Sequence, residues 1–172
     1  MELKRLFLEQ LEREGEASRK AIERLPEGDN GWKPHPKSME LGYLASLVAI
    51  MPRWVGLMIE TDELDLNGNG KSLRAKPART REELLAQLEE GLTHSRCALE
   101  KTTEEHLLKP WKLVMGPQVL SYRPRYSSIA DGALAALAHR RGQLAVYLRL
   151  NGAHGAALYV PGSDEMALNA VL

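Results

Sequence analysis

The stretch from Ile129 to Leu150 constrains the fold of this chain most strongly. It has the length and apolar periodicity of one long helix, yet it holds His139-Arg140-Arg141-Gly142-Gln143 at its centre. On a helical wheel of about 3.6 residues per turn, one narrow stripe contains Ile129, Ala136, Arg140, Gln143 and Tyr147. Arg141 then points towards water. Because an inward arginine needs a partner or a ligand, the stretch predicts a packed helix with Arg140 facing the interior.

Length and charge limit the partners that we expect. A chain of 172 residues is large enough for one domain spanning residues 1–172 with its own core. Lys+Arg and Asp+Glu both number 23, so the net charge is zero and no basic surface for nucleic acid is expected. A membrane helix needs about 18 consecutive apolar residues, and the sequence contains no such run. We therefore expect neither nucleic acid nor a membrane as a partner.

Composition favours a helical protein of a reducing compartment. The chain begins in a charged helix rather than a signal peptide, and its one cysteine, Cys97, rules out an intramolecular disulfide. Both features predict a cytoplasmic protein. Aromatic residues make up only 5% of the chain, so the core must consist mostly of leucine and alanine, which favours helices over sheets.

Helical periodicity recurs along the chain and predicts four long helices. They span roughly residues 2–25, 38–61, 81–101 and 129–150. Ser38 and Thr80 are suitable N-caps for the second and third helices, and Pro52 predicts a kink within the second. Residues 61–78 read as a loop and residues 102–126 as a long connection, in which Val119–Tyr122 could form a short strand. The expected fold is an all-α four-helix bundle with a long connection between helices 3 and 4.

Three segments carry a pattern that is more informative together than separately. The first contains Trp32-Lys33-Pro34-His35-Pro36-Lys37-Ser38-Met39, Leu41-Gly42-Tyr43-Leu44-Ala45 and Met51-Pro52-Arg53-Trp54. The second contains Pro110-Trp111-Lys112-Leu113 and Pro124-Arg125. The third contains Arg141-Gly142-Gln143-Leu144-Ala145-Val146-Tyr147-Leu148-Arg149-Leu150, followed by Gly162-Ser163-Asp164-Glu165. In this order and spacing the segments resemble the DinB-like superfamily (DinB/YfiT-like type).

This resemblance implies a four-helix bundle that is often a homodimer, and it does not imply DNA binding. Typical members hold a divalent metal, usually zinc or nickel, with three histidines. One is on the second helix, and two are on the fourth in a His-x-x-x-His-Arg-x-Gln pattern. Residues four apart share a helix face and can converge on one ion. In the thiol transferases of the superfamily, the metal activates a thiol or water.

Carried onto this sequence, the three ligand positions of the resemblance fall at Leu47, Ala136 and Arg140. Leucine and alanine have no donor atom, and arginine stays protonated without a free lone pair. His139 adjoins the motif but lies off the inward stripe. We therefore expect no metal or other cofactor, with a site rebuilt from the remaining histidines as the alternative.

Two interpretations of Arg140 follow, besides an arginine that simply extends into water. The first is an internal ion pair with Glu14, on the inward stripe of the first helix, or with Glu40 at the start of the second. The second is a pocket in which Arg140, Gln143 and Tyr147 bind a small anionic molecule, because a guanidinium group binds carboxylates well.

The function that the sequence favours is that of a DinB-like protein without the metal-dependent catalysis of the superfamily. Such a protein could bind a small anionic ligand or act through dimer contacts. The alternative is a metal-dependent thiol transferase of the bacillithiol type, or a hydrolase, with a rebuilt site. No Ser-His-Asp or Cys-His grouping is evident along the chain, so no catalytic residue is assigned.

Overall fold

The computed structural model of this chain describes residues 2–28, 30–68, 75 and 80–153. The helices are α1 (Leu3–Ile22), α2 (Leu41–Ile50), α3 (Arg53–Glu60), α4 (Arg81–Lys101), α5 (Glu104–Leu108), α6 (Arg125–Ser128) and α7 (Ala136–Leu150). A π-helical segment, Ile129–Ala135, connects α6 to α7. The strands are β1 (Glu63–Asp65), β2 (Pro110–Met115) and β3 (Gln118–Pro124). The motif Gly162–Glu165 lies outside the described residues.

The helices pack on one another around one apolar core. Contacts join α1 to α4, α2 to both α4 and α7, and α3 to α4. Many of the buried side chains are leucines, as the composition predicted; they include Leu11, Leu44, Leu88, Leu99, Leu137, Leu144 and Leu148. α1 and α4 approach closely at Gly15, where a Cβ atom would lie 2.7 Å from Cδ2 of Leu92. The prediction of a mostly helical protein is confirmed.

The second predicted helix is broken at Pro52 into α2 and α3, which are bent by 47°. Proline has no backbone N–H, so the helical hydrogen-bond pattern is interrupted at this point. A backbone N–H and a carbonyl group near the break therefore bond to a side chain. Ser95 on α4 meets these groups: its hydroxyl donates to the carbonyl of Pro52 at 2.7 Å and accepts from the amide of Gly56 at 2.9 Å. The predicted kink is therefore present, and a side chain of another helix stabilises it.

No single helix within the described ranges is long and apolar enough to cross a membrane. The pair α2 and α3 would pass by length and composition if taken together. These two helices, however, contribute much of the buried core, including Leu41, Leu44, Val48, Val55 and Ile59.

A small sheet makes the fold differ from the all-α prediction. Its strand order is β1-β2-β3, with β1 parallel to β2 and β2 antiparallel to β3. Gly116, at φ 57°, lies in the tight turn between β2 and β3, and a bulge follows Leu113. The possible strand at Val119–Tyr122 lies within β3, whereas β1 and β2 were expected to be loop. β1 has only three residues and pairs with a strand beyond α4, a non-local contact that periodicity does not reveal.

Arg125, the first residue of α6 and the residue directly after β3, joins the end of the sheet to α3 and α5. Its side chain is fully buried and donates to four oxygens. These are the carbonyls of Met58 (2.7 Å), His106 (3.1 Å) and Thr61 (2.9 Å) and the carboxylate of Asp62 (2.7 Å). One guanidinium group thus joins the end of α3, α5 and the start of α6.

The π-helical segment changes the rotational phase of the last long helix. Its hydrogen bonds span one residue more than those of an α-helix, so the segment acts as a one-residue insertion. The buried residues of α7 include Leu137, Arg141, Leu144 and Leu148. Each lies one position after a member of the predicted inward stripe, which held Ala136, Arg140, Gln143 and Tyr147. The predicted inward stripe was therefore wrong by one residue for every position after the π-helical segment.

Candidate functional site

Arg141, not Arg140, is the buried arginine of the last helix and the partner of Glu14. Arg141 is 0% exposed and Glu14 is 4% exposed. The Nη2 atom of Arg141 lies 2.5 Å from Oε2 of Glu14, and Nη1 donates to the Glu14 carbonyl at 3.1 Å. Ser18 joins this cluster, because its hydroxyl accepts from Arg141 at 3.3 Å. The predicted pairing of Glu14 with Arg140 was wrong. The π-helical segment shifts the following residues by one position around the helix, so Arg141 faces Glu14 instead.

The other residues of the predicted site separate into different surroundings. Arg140 is half-buried and donates to the side-chain oxygen of Gln143 at 3.1 Å. Tyr147 packs edge-on against Trp32 and donates to the carbonyl of Met39 at 3.3 Å. His139 is exposed. Tyr147 thus fixes the loop before α2, and recognition of an anion by Arg140 stays a prediction.

Glu40, the second carboxylate considered for Arg140, also has a different neighbour. Its Oε1 atom lies 3.8 Å from Nζ of Lys33, and both side chains are substantially exposed. The alternative pairing of Arg140 with Glu40 was therefore also wrong.

The three positions at which the DinB resemblance implies metal ligands do not fit a metal. Leu47, Ala136 and Arg140 are all half-buried, but none has an atom that can donate a lone pair to a cation. Within the described part of the chain, no group of three histidine, cysteine, aspartate or glutamate side chains is arranged to hold a metal. We therefore derive no metal-dependent step for these positions.

Histidines elsewhere have other neighbours. The Nε2 atom of His94 lies 2.9 Å from a carboxylate oxygen of Glu60, and that of His106 lies 2.8 Å from the carbonyl of Ile59. His35 accepts from the amide of Lys37 at 3.1 Å. Two of these contacts join separate helices, α4 to α3 and α5 to α3, and the third is within the loop before α2.

A cavity of about 560 Å³ lies between the sheet and the helices, and we call it the helix–sheet cavity. Its volume is within the range typical of small-molecule sites, about 300–1,000 Å³. Apolar and aromatic side chains form most of its wall: Tyr43, Leu47, Trp54, Met58, Leu64, Leu66, Ala75, Trp111, Leu113 and Met115. The remaining lining residues are Asn67, Ser121, Arg123, Ser128 and Gly132. Leu47, one of the implied ligand positions, is among the lining residues. The residues predicted for the pocket or ion pair are not: Glu14, His139, Arg140, Gln143 and Tyr147.

One face of the sheet lines this cavity. Trp111, Leu113 and Met115 alternate along β2 and line the cavity. Across the ladder, Arg123 is paired with Trp111, and paired residues point to the same face. Lys112 on the opposite face lies 6.0 Å from the ring of Tyr122 and 2.9 Å from a carboxylate oxygen of Glu63.

The π-helical segment and α3 form the facing wall. Gly132 of the segment leaves space there, since a Cβ atom at this position would lie 3.3 Å from the terminal methyl group of Met58. π-helical turns occur frequently at functional sites. The segment therefore both shapes the cavity and sets the phase of α7.

Two N–H groups of cavity-lining residues are buried without an acceptor among the described residues. They are Nε1 of Trp54 and Nε of Arg123. The Nη1 atom of Arg123 donates to Asp131 at 2.7 Å. A buried donor without a partner costs about 1–3 kcal/mol, so an acceptor supplied from the cavity would be stabilising. Arg123 is the only charged residue among the described lining residues.

Comparison with known proteins bears on the architecture. A crystal structure of a DinB-like protein, YjoA of Bacillus subtilis, superposes with a TM-score of 0.65 over 86% of this chain and 92% of that chain, at 16% sequence identity. The chain has a DinB-like fold. No protein-family model matches the sequence, and no curated protein matches it. The DinB-like fold was predicted from the three sequence segments, two of which include the cavity residues Tyr43, Trp54 and Trp111.

Sequence reasoning missed the helix–sheet cavity and its arginine. Arg123 and Trp111 meet only because the chain reverses between β2 and β3 at Gly116-Pro117. That dipeptide, flanked by short apolar runs, is the signal that could have indicated a hairpin.

Proposed function

We propose that this protein is a DinB-like four-helix-bundle protein that binds a small, largely apolar molecule in the helix–sheet cavity, without a metal. The cavity itself is the observation that carries the proposal. It combines a volume typical of ligand sites with apolar walls from both the sheet and the helices. Trp111, Leu64 and Met58 in these walls are at most 6% exposed, whereas Tyr43 and Met115 are 47% and 42% exposed, so the site extends from the folded core to the surface.

The absence of usable ligand atoms at Leu47, Ala136 and Arg140 supports a binding role over the metal-dependent reactions of the superfamily. Leu47 also lines the cavity. An apolar side chain thus contributes contact surface at a position where the resemblance implies a histidine. No observation favours the thiol transferase or hydrolase alternative.

The compartment and assembly are further proposals. We propose the cytoplasm because the chain has a single cysteine, and a homodimer because the DinB-like resemblance implies one. Gel filtration with light scattering tests the second proposal.

Tryptophan fluorescence tests the cavity directly. Of the three tryptophans, Trp54 and Trp111 line the cavity and Trp32 packs on Tyr147. In a Trp32→Phe protein all the tryptophan emission comes from Trp54 and Trp111. We expect ω-bromodecanol, whose bromine quenches indoles on contact, to quench this emission saturably.

A matched pair of glycine substitutions provides the control. Gly132→Leu adds a side chain in the cavity wall, where a Cβ atom alone would lie 3.3 Å from the terminal methyl group of Met58, whereas Gly142→Leu adds one on the exposed side of α7, where nothing lies within 4 Å of a Cβ atom. We expect Gly132→Leu to abolish saturable quenching and Gly142→Leu to leave it unchanged. Quenching that does not saturate, or that Gly132→Leu does not alter, would contradict the proposal.

A further inference from the structure

The side chain of Arg123 has one edge engaged and another available. Asp131 accepts from Nη1 at 2.7 Å. The Nε atom is buried and has no acceptor among the described residues. The Nε and Nη2 atoms of a guanidinium group form one edge that matches the two oxygens of a carboxylate. Asp131 therefore holds Arg123 without occupying that edge.

The position of Arg123 directs it to the helix–sheet cavity. It lies directly across the ladder from Trp111, whose side chain is 3% exposed, and both residues line the cavity. On the helical side, Trp54 contributes a second buried N–H without an acceptor in the described part of the chain. The cavity thus combines an apolar body with two donors, one of them cationic, and no anionic lining residue among those described.

We infer that the ligand of the helix–sheet cavity is an apolar monocarboxylate whose carboxylate is bound by Arg123. This inference rests on the proposed function and assigns the ligand class and the residue that selects it. An apolar tail fits the leucine, methionine and tryptophan walls. A single carboxylate supplies the acceptor for the free edge of Arg123, and the partial neutralisation of Arg123 by Asp131 disfavours ligands with several negative charges.

The experiment compares two probes that differ only in the head group. ω-Bromodecanoate and ω-bromodecanol are titrated below their aggregation concentrations into Trp32→Phe protein, and quenching of the cavity tryptophans is followed. We expect the carboxylate to bind at least about tenfold more tightly, as a hydrogen-bonded charged pair in a half-buried site provides. We also expect this preference to weaken with added salt.

Variants assign the preference to Arg123. Arg123→Gln should reduce carboxylate binding about tenfold or more and weaken alcohol binding far less, since the alcohol loses at most a neutral hydrogen bond; retained alcohol binding then reports that the variant is folded. Asp131→Asn should strengthen carboxylate binding, because a competing negative charge is removed. Arg5→Gln, which removes an exposed arginine of a surface pair with Glu9, should change neither affinity.

The outcomes separate the two proposals. If neither probe quenches saturably, both proposals fail. If both probes bind with equal affinity, or if Arg123→Gln leaves the preference intact, the carboxylate inference fails while the cavity remains a binding site. A carboxylate preference lost only in Arg123→Gln supports the inference.

Discussion

Arg141 on α7 and Glu14 on α1 form an ion pair that is shielded from solvent on both sides, with Nη2 and Oε2 2.5 Å apart. The pair joins the first and last long helices of the fold. Its additional hydrogen bonds to the Glu14 carbonyl and to Ser18 satisfy more of the guanidinium group than a surface pair would. Such geometry offsets part of the desolvation cost of two buried charges.

Glu14→Gln should destabilise the protein by about 3–5 kcal/mol, because it leaves the Arg141 charge buried without its counter-charge. Urea unfolding followed by circular dichroism measures the change. Glu9→Gln is the matched control on the same helix; Glu9 pairs with Arg5 at exposed positions, so a loss of less than about 1 kcal/mol is expected. Equal losses in the two variants would refute the structural role of the buried pair.

Arg125→Met should cost at least about 3 kcal/mol, because three carbonyl oxygens, one in a buried and two in partly buried hydrogen bonds, lose their donor. The chain offers a control in Asp62→Asn. The Asp62 side chain is 93% exposed and the asparagine amide still offers an oxygen to Arg125, so this change should cost clearly less than Arg125→Met, because the three carbonyl oxygens keep their donor. Hydrogen exchange provides a second readout: in Arg125→Met the amides of β2 and β3 should exchange faster than those of α4. Uniform acceleration across both regions would argue against Arg125 as the attachment of the sheet.

Asp65→Asn should reduce the acid sensitivity of the protein. The amide of Gly116, and then that of Asn67, donates to the Asp65 carboxylate and lowers its pKa below the ordinary value. Because the pKa is lower in the folded state, the stabilisation is present above the ordinary pKa of about 3.9 and is lost as the pH falls through the lowered folded value. Thermal melts from pH 6 to pH 2, in steps of about half a unit, measure this dependence. The melting temperature of Asp65→Asn should fall less steeply below about pH 4; parallel curves would show that these hydrogen bonds do not contribute.

The triple variant Leu47→His, Ala136→His and Arg140→His should acquire a zinc site, whereas the unaltered protein should contain well below one equivalent. Three histidines leave a fourth position of tetrahedral zinc open. Zinc at roughly one hundred times its dissociation constant should stabilise the variant by about 2.7 kcal/mol. Elemental analysis and thermal melts with and without zinc measure both effects.

Arg140→His alone is the control for this variant and should bind weakly. One tightly held equivalent in the unaltered protein would overturn the metal-free proposal. Failure of the triple variant to bind zinc would show that the three positions do not converge.

Local signals predicted the elements that depend on local chemistry. The third predicted helix has the predicted bounds, Arg81–Lys101. The Thr80 side chain accepts from the amide of Glu83 and so fixes the first residue of the helix. The break at Pro52 was predicted for the same kind of reason. Ser38, by contrast, is not the N-cap of α2; that position belongs to Glu40, without a side-chain cap.

The sheet, the cavity and the buried ion pair depend on contacts between segments that are distant in the sequence. β1 pairs with β2 across the whole of α4, and the helix–sheet cavity exists only where that sheet faces α3 and the π-helical segment. The sequence predicted that Arg140 faces Glu14, or Glu40, and that Arg141 points towards water. The structure instead buries Arg141 beside Glu14, because a 3.6-residue period does not hold across Ile129–Ala135.

The π-helical segment divides the last helical stretch into two parts. The residues of each part face the interior at a different angle around the helix axis, and each set of inward positions is called a frame. Ser128 and Gly132 belong to the frame that faces the cavity, and Arg141 belongs to the frame that faces α1. If the π-helical turn is kept, deleting one residue between them would rotate every downstream side chain by about 100°. Arg141 would then take the direction that Arg140 now has, and the buried position facing α1 would lose its arginine. A single-residue length change in this stretch is therefore a larger perturbation than most substitutions, and related sequences should be aligned separately on either side of it.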